Sequence, residues 1–176
     1  MRKFFLILSL LVCIAGCGTK KDNSLKMETY ETYYRIVEED THPTGPSMYY
    51  TLSGEMTTLA DGSHRYYVIV DEPKIAMYDC VVFIVENDIL FSEAVKMMPC
   101  MGVFENKVSM VPNQVNKESG YVKGISVSGE CAEESIRLHI LVEWKDRSRK
   151  DTHREFHSYV LSTGGFTPDA SGESGN

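Results

Sequence analysis

Between residues 47 and 161 apolar side chains recur at every second position in short runs, and turn residues interrupt the pattern at intervals of about 8 to 14 residues. Side chains of a strand alternate between two faces, so this rhythm predicts a chain of antiparallel strands. The strictest run is Ile136, Leu138, Ile140, Val142 and Trp144, alternating with Arg137, His139, Glu143 and Lys145. It predicts a half-buried strand with one wet face. After the polar stretch 146–150, residues 151–161 return as its partner with Phe156 and Val160 inward. Residues 75–86 are apolar on both faces, which predicts a central strand. Asp61-Gly62 predicts a type I′ turn joining strands 47–60 and 64–71, with Gly54 at a bulge. Residues 26–38, rich in Tyr and Thr, read as the first strand, and 101–111 and 121–128 as further ones. Residues 89–98 fit a helical stripe and an alternating strand equally well. About nine strands with little helix predict an all-β fold, an antiparallel β-sandwich that is immunoglobulin-like in the broad sense, with a lipocalin-like β-barrel as the alternative.

The amino terminus has its own pattern. Met1-Arg2-Lys3 is a short positive head, and residues 4–14 form an 11-residue apolar run. A spanning helix needs roughly 20 apolar residues, so this run reads as the core of a secretory signal. Ile14-Ala15-Gly16-Cys17 follows and resembles the lipobox of bacterial lipoproteins. The resemblance covers the first 17 residues only. It implies that residues 1–16 are a signal peptide and that the chain is cut before Cys17. It also implies a diacylglyceryl group on the Cys17 thiol, which with further acyl chains such as palmitate ties the protein to a membrane. Cys13 follows Val12, where that class wants a small residue. Asp after the lipidated Cys favours the inner membrane in Gram-negative envelopes. Gly18 stands there instead, so the outer membrane is expected where a cell has one, and otherwise the outer face of the cytoplasmic membrane. The domain layout expected is a tether over 17–26, a sandwich over 27–162 and a disordered tail over 163–176.

Charge narrows the partners. The formal charge of −7 becomes −9 once Arg2 and Lys3 are removed, and no long basic cluster offers itself to phosphate, so nucleic acid is excluded as a partner. An acidic body also stands off an anionic bilayer.

Candidate chemistry is sparse. His153 and His157 have metal-ligand spacing for a helix, but on a strand four residues put them roughly 13 Å apart. A cross-strand register setting Ile140 against Phe156 would bring His139 opposite His157 and Glu143 opposite His153 on one wet face, where a metal is the one cofactor conceivable. Cys80, Cys100 and Cys131 remain after the signal and the lipid site, and Cys100 with Cys131 is the preferred disulfide. Tyr33, Tyr49 and Tyr66 belong to a Tyr-rich amino-terminal region expected to present rings as a binding surface. Gly124 to Gly129 only approximates a nucleophile elbow, and neither a phosphate loop nor a dinucleotide fingerprint occurs. The leading expectation is therefore a lipid-anchored, non-catalytic binding or assembly module that contacts an envelope protein or surface ligand. A metal-binding or hydrolytic envelope protein using the His/Glu face is the alternative.

Overall fold

Strand β3 (Met77–Glu86) is buried on both faces, as its composition predicts, and the reason is that it lies between two different covers. In the computed structural model, which describes residues 18–40 and 42–169, one cover is a second sheet and the other a helix. The small sheet holds β1 (Thr51–Thr58), β2 (His64–Asp71) and β6 (Ile125–Cys131) in the order β1-β2-β6. The large sheet runs β4-β3-β7-β8-β9, with β4 at Cys100–Met101, β7 at Ser135–Lys145, β8 at Thr152–Ser162 and β9 at Gly165–Pro168. A short β5 (Val108–Met110) pairs with the first half of β3, past a register shift at Asp79-Cys80 where Asp79 has φ +51°. All named pairings are antiparallel and neither sheet closes into a barrel, so the fold is the expected all-β sandwich.

Side chains of even number on β3 and β7, among them Val82, Ile84, Ile136, Leu138, Ile140 and Trp144, fill the space between the sheets against Tyr66, Val68 and Val70 of β2. Odd-numbered Val81, Phe83, Val85 and Leu141 point the other way, onto helix α1 (Gly18–Glu39). Each large apolar side chain buried so is worth about 1.5–3 kcal/mol, and both faces of the sheet are used. The strand β7, expected to be wet on one side, is dry over its second half because α1 lies there.

That helix corrects the first-strand expectation for 26–38 and the tether expected over 18–26; Cys17 itself lies outside the described residues. Tyr30, Tyr33, Tyr34 and Val37 recur at three and four residues, which is a helical stripe. Thr29 and Thr32 satisfy their hydroxyls on the carbonyls of Leu25 and Glu28, and Arg35 pairs with Glu31 one turn back. Glu38 and Glu39 oppose the helix dipole at its carboxyl end, so packing rather than intrinsic propensity holds the helix.

Other expectations shift locally. The loop after β1 is Ala60-Asp61-Gly62, closed by Gly62 N–H on the Leu59 carbonyl and Leu59 N–H on the Ser63 carbonyl. Only Gly62 has positive φ, so this is a type I turn with a following left-handed glycine and not a type I′ turn. Gly54 is in regular register opposite Val68 and makes no bulge; a Cβ there would sit 2.6 Å from Phe166 of β9. Residues 89–98 form neither long helix nor strand but an irregular segment with one short 3-10 turn at Phe91–Glu93. The described part of the tail expected over 163–176 supplies β9, whose Phe166 stacks on Tyr159 at 4.1 Å between ring centroids, and 170–176 lie outside the described residues.

Candidate functional site

The β7–β8 hairpin decides where the histidines go. Asp146 N–H bonds the Asp151 carbonyl, the chain turns through Arg149 at φ +58°, and the register that follows sets Ile140 opposite His157 and Leu141 opposite Phe156. This is one residue away from the expected pairing, and in a strand such a slip reverses every side chain. His157, Glu155 and Tyr159 therefore face the inter-sheet core, with Phe156 on the helix side, while His139 and Glu143 lie on the helix face of β7. The proposed quartet is not assembled: His139 pairs with Asp88 at 2.5 Å, Glu143 stands opposite Arg154, and His153 stacks on Trp144 at 5.5 Å. Among the described residues no group of three His, Cys, Asp or Glu side chains has metal-binding geometry.

Three buried polar centres take the place of that quartet. Glu143 accepts 2.6 Å from the Tyr33 hydroxyl and 2.7 Å from Arg154 Nε, with Lys107 Nζ at 3.9 Å. Glu86 closes the far end of β3, accepting from the Tyr66 hydroxyl at 2.6 Å while Lys96 Nζ lies 2.7 Å from its other oxygen. Tyr50 and His157 Nε2 are 2.7 Å apart, beside Glu155. Burial lowers the His157 imidazole below its ordinary range, against a smaller upward pull from Glu155, so the ring is neutral near pH 7. Burial, then the adjoining carboxylates, push the Tyr33 and Tyr66 phenols upward, so both are fixed donors. The Tyr33–Glu143, Tyr66–Glu86 and Tyr50–His157 contacts cross-link α1, the two sheets and the segment before β1.

The tyrosines expected at a binding surface are mostly inside. Tyr33 and Tyr66 are buried, and Tyr49 is half-buried against Trp144 at 5.7 Å. Cys80, Cys100 and Cys131 are free, so the Cys100–Cys131 bridge is not formed. Burial raises the Cys80 and Cys100 thiols to about 12, away from nucleophilic use.

The surface with an unusual character is the segment 87–99 between β3 and β4. It is pinned on the helix side by the Tyr34 hydroxyl on the Ile89 carbonyl, the Phe91 N–H on Glu38 and the Met98 N–H on the Tyr30 hydroxyl. Lys96 ties it to the small sheet through the Glu130 carbonyl at 2.6 Å. Between these pins Leu90, Val95 and Met97 are exposed, Val95 to 99%. A groove of about 450 Å³ lies beside it, lined by Arg65, Tyr67, Lys96, Met97, Pro99 and Ser128 among others. The ambiguous periodicity of 89–98 carried the signal: apolar residues that fit two patterns here satisfy neither, so several are left outside.

No protein-family model matches the chain, nor does any curated protein or solved structure.

Proposed function

We propose that this is a lipid-anchored protein of a bacterial cell envelope whose folded domain is a non-catalytic binding or assembly module. The observation that carries the reading is the sequence Ile14-Ala15-Gly16-Cys17, which resembles a lipobox and is followed by residues that are helical from Gly18, the first described residue, to Glu39. Asn23 to Thr29 are largely exposed apart from Lys26, whose ammonium donates to the Phe104 carbonyl at 3.0 Å, and from Tyr30 onward the helix is packed on the sheet. A lipid on Cys17 would thus act on a helical stalk that is continuous with the domain, about 1.5 Å long per residue. No helix of the described residues is long and apolar enough to cross a membrane.

The stalk gives the domain a direction. Val37 and Glu38 lie by Val85 and Asp88, and Tyr33 by the Val81–Glu143 level, so the amino end of α1 points toward the beginning of β3. At the opposite end stand the α1 terminus with Glu38, Glu39 and Asp40, the β6–β7 link with Glu133 and Glu134, and segment 87–99. The acidic residues and the exposed apolar ones would therefore face away from an anionic bilayer, where a protein partner or surface ligand is met. Gly18 after the anchored cysteine favours the outer membrane in a cell that has one. Among the described residues the metal reading finds no three-ligand group to support it.

The test is metabolic labelling of the full chain with an alkynyl fatty acid, followed by membrane fractionation. Label and membrane association are expected in the wild type and lost in Cys17→Ala. Label that persists in the variant, or is never acquired, would overturn the anchor.

A further inference from the structure

The edges of the two sheets are not treated alike. β9 is four residues long and ends in Pro168. β6 has its outer edge crossed by Lys96, whose ammonium takes the outward carbonyl of Glu130. Lysine, proline and short length are the ordinary ways of closing an edge to another strand. β1 has none of them: it runs eight residues in unbroken register on β2, with Glu55 its one charge.

The alternation of the ladder identifies its open groups. Leu59 gives its N–H to Ser63, so Leu59, Thr57, Glu55, Ser53 and Thr51 turn their backbone groups toward β2. Leu52, Gly54, Met56 and Thr58 then hold theirs on the outer edge, where no backbone hydrogen bond among the described residues reaches them. The same count across β2 predicts that Glu130 faces outward on β6, which is where Lys96 finds it. On the inner side of this edge the half-buried Leu52 and Phe166 form an apolar shelf, while Met56 is buried in the core. On the outer side are Ser53, Glu55 and Thr57.

We propose that the outer edge of β1 receives an extended segment of a partner protein as an added strand, with apolar residues at alternate positions over the shelf and a basic residue beside Glu55. A second copy of this chain is the rival occupant, and the proposed membrane anchor argues against it. Tyr66 near the start of β2 reaches Glu86 at the end of β3, and a five-residue link joins their other ends, so the sheets are aligned and β1 shares the axis of α1. Two identical edges pair symmetrically only in antiparallel fashion, which would aim the second α1 away from the membrane that holds the first.

The probe is a capped synthetic peptide of alternating Val and Lys, titrated into the isotopically labelled full chain in detergent. Chemical-shift changes are expected along β1, with slowed amide exchange at Leu52, Gly54, Met56 and Thr58. Methylation of alternate peptide nitrogens should weaken binding at least about tenfold, because it removes donors while keeping side chains. Leu52→Pro and Thr58→Pro delete outward N–H groups and no β1–β2 bond, so both should abolish the effect in a chain that still unfolds cooperatively. No shift at millimolar peptide, protection at β6 in place of β1, or equal binding by the methylated peptide overturns the proposal. So does sedimentation as a dimer that Leu52→Pro dissociates, which assigns the edge to a second copy. The titration does not involve acylation, so its failure leaves the lipid anchor standing, and loss of the anchor leaves the edge to be judged by sedimentation.

Discussion

The Tyr33 hydroxyl donates to Oε1 of Glu143 across 2.6 Å, joining the helix to strand β7 of the large sheet over 110 residues of sequence. Both groups are buried, and Arg154 occupies the other carboxylate oxygen. Tyr33→Phe keeps the ring against Phe83 but leaves Oε1 with only Lys107 at 3.9 Å. Stability should fall by about 1–3 kcal/mol. In a chain of this size that is about 2–4 °C of melting temperature per kcal/mol. Urea unfolding followed by far-ultraviolet circular dichroism measures it, and an unchanged midpoint would show that the bond contributes nothing.

His157 makes the protein acid-sensitive. The unfolded imidazole titrates near pH 6.5 and the folded one lower, because burial opposes the charge. Below about pH 6.5 the unfolded chain binds the additional proton, so stability declines as pH falls and levels off under the folded pKa. Denaturant midpoints taken from about pH 8 to about pH 5 should show that decline, and His157→Gln should flatten it at a lower overall stability. A slope of equal size in the variant would assign the acid sensitivity elsewhere.

Gly129 faces the ring of Tyr66, and a Cβ on it would stand 2.4 Å from Cζ and Oη. The ring cannot retreat, since it is fully buried and its hydroxyl is bound to Glu86. Gly129→Ala is therefore expected to cost about 1–3 kcal/mol by overpacking. Ser128→Ala, next to it on the exposed face, should be close to neutral. The pair is compared by thermal unfolding, and equal effects would refute the clash.

Thiol chemistry offers a check on the core. Cys80 and Cys100 have thiols raised to about 12 by burial. At neutral pH iodoacetamide should modify neither in the native chain, and both promptly in denaturant, as read by mass spectrometry. Fast native labelling of Cys80 would mean that the sandwich opens far more often than its packing allows.

The sandwich was legible because burial on a strand writes itself into alternate positions. Residues 75–86 showed that β3 was covered twice, though not that one cover was a helix. The helix was hidden by its composition: Tyr and Thr favour strands on average, yet Tyr30, Tyr33, Tyr34 and Val37 keep helical spacing, and the threonines are reconciled to it by bonds one turn back. The histidine site failed on a single residue. The number of residues in the 146–151 turn sets which face of β8 meets the core, and polar turn sequences do not specify that number. The pinned apolar segment 87–99 was visible only as an ambiguity, since its fixed shape comes from Tyr30, Tyr34, Glu38 and Lys96, which are distant in sequence.

The long span between Tyr33 and Glu143 also orders assembly in time. Helix α1 is made first, but its surface of rest is β3 and β7, and β7 begins at Ser135. An isolated helix of this length is marginal in water, and contacts this far apart in sequence close slowly. Among the described elements, one that precedes both strands in the chain is thus a late one to become permanent, because its resting surface is completed only once β7 has been made.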